Sequence, residues 1–308
     1  MTALPAPVES VLKRAPSLET PVRFVWRVVE RWGESNCSLL AAALAFYGLL
    51  SLFPLALAGV IVLARIATNN VATLKGFSHF VGSFFPASSG AQIASSIQDG
   101  VQKLSSGPSP LTATVIAAGS LLWSGRAYFD TLASVLNQIF AAGRPRSFLS
   151  HQLTMLTLML GCGALFVASS ATTFALSLLQ SWAERAPLLF LNRAPLLFDL
   201  LGRVGAWSLT FFMFWVLYRF APNRTQPPPR RAVLSGALFS ALALEIAKWA
   251  FARFLGNVTR YEATYGSVAG VVLTMMWLYF ASMIVLMGAQ IGATGEEFRH
   301  QHAKADTQ

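Results

Sequence analysis

The sequence predicts an all-α, polytopic membrane protein, and three observations carry that expectation. Apolar residues make up 55% of the 308 and charged residues 12%, about half the share usual in soluble domains. Mean hydropathy is +0.55, so a water-soluble globule of this composition would have too few charges to cover its surface. Uncharged apolar runs of about 20 residues, the length that crosses a hydrocarbon core, recur along the chain. Length alone would suggest two soluble domains, but the composition overrules it. Disorder is excluded for most of the chain, because disordered segments are poor in apolar residues. Cys37 and Cys162 are the only cysteines, so the chain is not a disulfide scaffold.

Residues 1–20 are rich in proline and carry no apolar run of signal-peptide length, which predicts a mobile cytoplasmic tail. Over 21–36, Val25, Val29 and Trp32 recur at helical spacing between Arg23, Arg27, Glu30 and Arg31. That pattern predicts an amphipathic interfacial helix with its arginines toward lipid phosphates, or else a helix packed on the protein's own cytoplasmic face. A membrane domain is expected over 37–295, with spans at about 39–63, 111–131, 152–180, 200–220, 232–255 and 267–293. In the first span Ala41, Ala42, Ala43, Ala45 and Gly48 permit close packing. Pro54 removes an intrahelical hydrogen bond there, and Ser51 is placed to serve the freed backbone. Helical spacing within 68–107, broken by the turn signal Pro86-Ala87-Ser88-Ser89-Gly90, predicts a cap of short amphipathic helices on the outer face. Residues 296–308 are a second cytoplasmic tail.

A net charge of +10 invites a nucleic-acid reading, but the basic residues flank apolar runs instead of forming an aromatic-interleaved patch. The positive-inside bias accounts for them. With the N-terminus cytoplasmic, 13 of the 23 Lys and Arg fall inside and 8 outside, and the Asn223–Arg231 loop is the clearest inside segment. Six spans then place both termini in the cytoplasm. The expected partners are membrane lipids, with no nucleic acid. A homo-oligomer or an unidentified envelope partner stays open.

No enzyme template fits. The histidines (His79, His151, His300 and His302) do not pair with acidic residues at metal-ligand spacing. Neither a phosphate-cradling loop nor a nucleophile elbow is present. The sequence therefore predicts no catalytic residue, metal or cofactor. The informative residues are polar groups inside apolar runs, where a mid-bilayer charge costs roughly 2.5–3.5 kcal/mol and usually faces a bundle interior. Glu245 and Lys248 share one face of the fifth span; they are either a mutual ion pair that locks the bundle or a substrate or proton site. Tyr47, and Tyr265 near the start of the sixth span, complete a candidate polar interior site with them. Secondary candidates are Ser51, Arg126 and Asp130 at i, i+4, Asn137, and Gln290. Gly288 and Gly292 flank Gln290 as a Gly-x-x-x-Gly pair and Gly266 with Gly270 forms another, weak motifs that mostly mark helix contacts. Pro54, Gly266 and Gly288 are expected to be structural.

The segments LAFYGLLSLFP (Leu44–Pro54), FDTLASVLNQIF (Phe129–Phe140), LYRFAPNR (Leu217–Arg224), LEIAKWAF (Leu244–Phe251), YEATYGS (Tyr261–Ser267), MWLYF and LMGAQI occur in this order. Together they resemble the YihY/BrkB family of bacterial inner-membrane proteins over roughly Trp26–Phe298. The resemblance implies six membrane helices with cytoplasmic termini and no settled activity. Members carry the misassigned label ribonuclease BN, a link to serum resistance, or a connection to lipid export. The family-typical positions are Tyr47, Ser51, Pro54, Leu132, Asn137, Glu245, Lys248, Tyr265, Gly266 and Gly288, none with a transferable role. Three functions follow as expectations: a transporter or flippase-like exporter of a lipid or amphiphile, a non-transporting envelope protein, and, last, a ribonuclease.

Overall fold

The computed structural model describes residues 19–66, 110–142, 147, 149–165, 194–224, 228–255 and 268–305; side chains at 53–66, most of 110–124, 194–203, 206, 252, 255, 268–269, 300 and 302–305 are not described. The expected tail before residue 19, the outer cap at 68–107, the second half of the span at 152–180, Tyr265 and Gly266 all lie outside the described residues. Every element among the described residues is helical: α1 (Glu19–Glu34), α2 (Cys37–Ile66), α3 (Pro110–Ile139), α4 (Leu149–Leu165), α5 (Ala194–Phe220), α6 (Arg230–Leu255) and α7 (Val268–Ala305).

Helices occupy the described parts of the expected stretches, and two run well past their C-terminal ends. Helix α3 continues two turns past residue 131, and α7 runs beyond residue 293 through Glu296 and Glu297 to Ala305. The sequence predicts six crossings. Among the described residues two stretches, Arg230–Phe251 and Gly270–Arg299, are long and apolar enough to cross a membrane. A third is added if α1 and the first part of α2 form one broken span, bent by 61°. Helix α4, as described, is apolar but too short to cross at 1.5 Å per residue.

The bend between α1 and α2 has a local cause. Asn36 sits at φ 49°, a left-handed conformation that asparagine tolerates better than most residues. Its amide closes on the Gly33 carbonyl at 3.0 Å, while Leu39 N already bonds Asn36 O, so one helix ends as the next begins. The end of α3 is a Schellman turn. Ala142 N bonds Asn137 O at 2.9 Å and Ala141 N bonds Gln138 O at 3.3 Å, with Ala141 at φ 50° where glycine is usual.

The chain divides into two compact units. The first comprises α1, the end of α3 from Leu132, α4, α5, α6 to Glu245, and α7 from Met283. Its core is built from Leu136, Ile139, Phe214, Tyr218, Val233 and Leu286, all nearly or fully buried. There α6 and α7 cross at backbone contact. A Cβ added to Gly236 would lie 2.5 Å from Gly288 O, and one added to Gly292 would lie 2.8 Å from Ala232 O. Small residues at 232, 236 and 240 of α6 thus face Gly288 and Gly292 of α7 in the small-xxx-small manner of membrane helix pairs. The Tyr218 hydroxyl closes the crossing from α5, lying 2.7 Å from both Ser240 Oγ and Val285 O.

The second unit holds α2 from Leu40, α3 to Thr131, α6 from Ile246 and α7 to Ser282. A Cβ added to Gly48 of α2 would stand in ordinary contact with Leu278 and Tyr128, at 3.5–3.6 Å, and Phe251 meets Trp277 with centroids 5.0 Å apart. Helix α2 runs through Pro54. Ser51 Oγ donates to Gly48 O at 2.7 Å, within its own preceding turn; the carbonyl that Pro54 leaves without an amide is that of Leu50. In both units large apolar side chains point outward, among them Leu160, Ile246, Trp249 and Val272. On this scale such a surface suits hydrocarbon and not water.

Candidate functional site

Within the first unit, polar chemistry gathers where α1, the α3 terminus, the Phe220–Arg224 segment and the last turns of α7 meet. Helix α1 is amphipathic, and its charged face is the one turned inward. Arg31 donates through Nη1 to Glu297 at 2.9 Å and through Nη2 to the Ile139 carbonyl at 2.8 Å, a C-terminal helix carbonyl without an intrahelical amide. Arg27 bonds Glu30 at 2.9 Å and Glu297 at 3.2 Å. The Glu30 hydrogen bond raises the Arg27 guanidinium above its usual range more than partial burial lowers it, and Glu297 adds to the rise. Phe24 meets Phe298 edge-on at 5.7 Å. The opposite face of α1 carries Val25, 60% exposed, and Val29, 55% exposed. The arginines expected to meet lipid phosphates therefore bind protein carboxylates and a carbonyl, and the apolar stripe faces outward. A part-buried carboxylate on α7 and the carbonyl of the buried Ile139 on α3 give the guanidiniums charge-assisted and fixed acceptors within the protein.

A second arm comes from the segment that follows α5. Arg224 Nη1 bonds both oxygens of Glu296, at 2.7 and 3.0 Å. The segment holding Arg224 is itself pinned, because Asn223 N donates to Asn137 Oδ1 at 2.5 Å and Arg219 donates to the Pro228 carbonyl. Between these groups lies a groove of about 600 Å³, within the roughly 300–1,000 Å³ typical of small-molecule sites. Its charged walls are Arg27, Arg31 and Arg224 against Glu34, Glu296 and Glu297. Ser35, Gln138 and Gln301 add neutral polar groups.

Against the groove-lining Arg31 and Ser35, α7 contributes Gln290, which is fully buried. Its Nε2 lies within 3.1–3.4 Å of Ser35 Oγ, Arg31 O and Cys37 Sγ, and so holds the α1–α2 bend. Gln290 Oε1 and Thr294 Oγ1, one turn apart, are buried acceptors that no protein donor meets among the described residues.

The sequence-predicted residues are distributed differently. Asn137 and Gln290 belong to this polar end. Glu245 is half-buried and Lys248 exposed on α6, and both engage other groups. Tyr47 is half-buried in the second unit, with its ring edge-on to Phe46 at 5.8 Å. Arg126 and Asp130 form a surface ion pair at 3.1 Å. Gly288 lies at the α6–α7 crossing. Sequence reasoning missed the groove because its partners are distant, Arg31 and Glu297 being 266 residues apart. One signal was available: Glu296 and Glu297 follow closely on the last apolar run. Among the described residues no three His, Cys, Asp or Glu side chains gather as a metal would require.

All-helical architecture, outward apolar faces and backbone-contact helix crossings define a helical membrane protein. Residues 28–308 match the family model described as Virulence factor BrkB, and the chain belongs to that family. It is 29% identical over 301 residues to a UPF0761 membrane protein of Nitrosospira multiformis, covering 97% of this chain and 66% of the relative. It is 27% identical to UPF0761 membrane proteins of Stenotrophomonas maltophilia and Xanthomonas axonopodis, covering 91% of this chain and 61–62% of theirs. The chain thus spans somewhat less than two thirds of the length of these relatives, whose names state a membrane protein and no activity. No solved structure matches.

Proposed function

We propose that the protein is a non-enzymatic, multi-pass inner-membrane protein that moves a lipid or amphiphile in the manner of a flippase or exporter and so supports envelope integrity. The observation that carries the reading is the groove lined by Arg27, Arg31 and Arg224 beside a helix whose outward face is apolar. A charged headgroup can be held there while its chains stay against apolar surface. In this reading α1 and the end of α7 lie on the cytoplasmic side, as the positive-inside bias favours. Glu245 and Lys248, charged groups in an apolar stretch, are proposed to serve the moving headgroup, with Tyr47 and Tyr265 kept as candidates from the sequence.

The test is scrambling of fluorescent phospholipids in proteoliposomes. Transport should exceed that of empty vesicles and fall when Glu245→Leu and Lys248→Met are combined, at matched protein incorporation. A doubly apolar variant that keeps full activity would make the pair a structural lock. The competing reading is a non-transporting envelope protein, favoured by the engagement of Arg27, Arg31 and Arg224 with the protein's own carboxylates. Absence of scrambling by well-incorporated wild-type protein would select it.

A further inference from the structure

We infer that the groove at the end of α7 recognises a zwitterionic headgroup, one that joins a phosphate to a primary ammonium. The inference rests on the lipid-handling reading above and specifies its ligand. The walls carry three guanidiniums and three carboxylates. A purely anionic ligand drawn to the arginines would lie against Glu34, Glu296 and Glu297, and a purely cationic one would meet the reverse. A ligand bearing both charges satisfies both walls.

The hydrogen-bond pattern assigns the two ends. Arg224 meets Glu296 through Nη1 alone, so the rest of its planar fork is available to a phosphate, which guanidinium geometry suits. Arg31 is less available, because both its Nη groups are engaged. Among the carboxylates, Glu34 is the loosely held one. Its side chain is 56% exposed and its contact with Arg27 is long, at 3.8 Å, whereas Glu296 and Glu297 are gripped at 2.7–3.2 Å. Glu34 is therefore the acceptor for the ammonium, with Ser35, Gln138 and Gln301 lining the same groove. A primary ammonium offers three N–H donors to such a carboxylate. A quaternary ammonium offers none, and a glycerol headgroup brings no cation.

The experiment measures binding of short-chain phosphatidylethanolamine, phosphatidylcholine and phosphatidylglycerol to the full chain in nanodiscs, with soluble phosphoethanolamine and inorganic phosphate as further arms. The ethanolamine lipid should bind about tenfold more tightly than either of the others. Glu34→Gln, at an exposed position with a weak pair, should erase that preference without loss of folded protein. Arg224→Lys, which keeps the charge but loses the fork, should weaken binding of all three lipids. Phosphoethanolamine binding as tightly as the short-chain lipid would support the headgroup chemistry with a soluble source. Equal or tighter binding of phosphatidylglycerol, or a preference that survives Glu34→Gln, would overturn the inference. Scrambling that continues under either result would leave the transport reading standing, so the two fail separately.

Discussion

Two stretches of α7, barely two turns apart, bind the same unit by opposite physics. At Gly288 and Gly292 the helix meets α6 backbone to backbone, with no atom to spare. At Glu296 and Glu297 it reaches the segment after α5, and α1, through long, partly hydrated side chains. The crossing depends on volume, which neither salt nor a small rearrangement can relieve. The polar end depends on charge, which water and ions attenuate. One helix thus carries a close-packed crossing and, beside it, a polar end held by ionic side chains.

The sharpest way to break that comparison is Gly288→Ala. Its new Cβ would fall on Ser240 Oγ and close to Tyr218 OH and Gly236 O, so the crossing must open. The expected loss is about 3 kcal/mol or more, read as a lower unfolding temperature in detergent. Adding Ser240→Ala removes the nearest clash but not the Gly236 backbone, so rescue should be partial. Full rescue would show that the side chain, not the backbone contact, limits the approach.

Glu297→Gln should cost less, about 1–2 kcal/mol, because its partners Arg27 and Arg31 are only partly buried and keep other acceptors. The readout is faster proteolysis within α1 with the crossing intact. Salt at about 1 M, where the screening length is about 3 Å, should reproduce the effect in the wild-type chain and add little to the variant. Ala141→Gly should act in the other direction, stabilising the α3 terminus by about 1 kcal/mol, since glycine adopts the observed φ of 50° without a Cβ penalty. Arg126→Ala should change stability by less than about 0.5 kcal/mol, its ion pair being exposed and within one helix. A larger loss would mean that Arg126 has a partner beyond Asp130.

Much of the helical layout was legible because apolar run length and helical spacing are local properties, and α2, α3, α5 and α6 cover their expected stretches. The small-residue spacing at Gly288 and Gly292 was legible as a helix contact, although its partners Ala232, Gly236 and Ser240 were not. Amphipathicity identified α1 as a helix but left its orientation open. An arginine-rich face suits phosphates and carboxylates equally, and only Glu297 and the Ile139 carbonyl draw it inward. Gln290 stood out as a polar group within an apolar run and Asn137 as a polar residue just past one, whereas Arg224 and Glu296 resembled ordinary solvated charges at a helix end.

The sequence by itself determined that this is a helical membrane protein, because the cost of exposing so much apolar surface to water is a property of composition and run length. Its motifs likewise identified the family. Only the tertiary structure decided which charges meet. Pairing of Arg31 with Glu297, or of Arg224 with Glu296, depends on how separate helices cross, and the crossing angle and depth are set by contacts such as Gly236 on Gly288. Charge attraction over a few ångströms acts only after packing has brought the helices together.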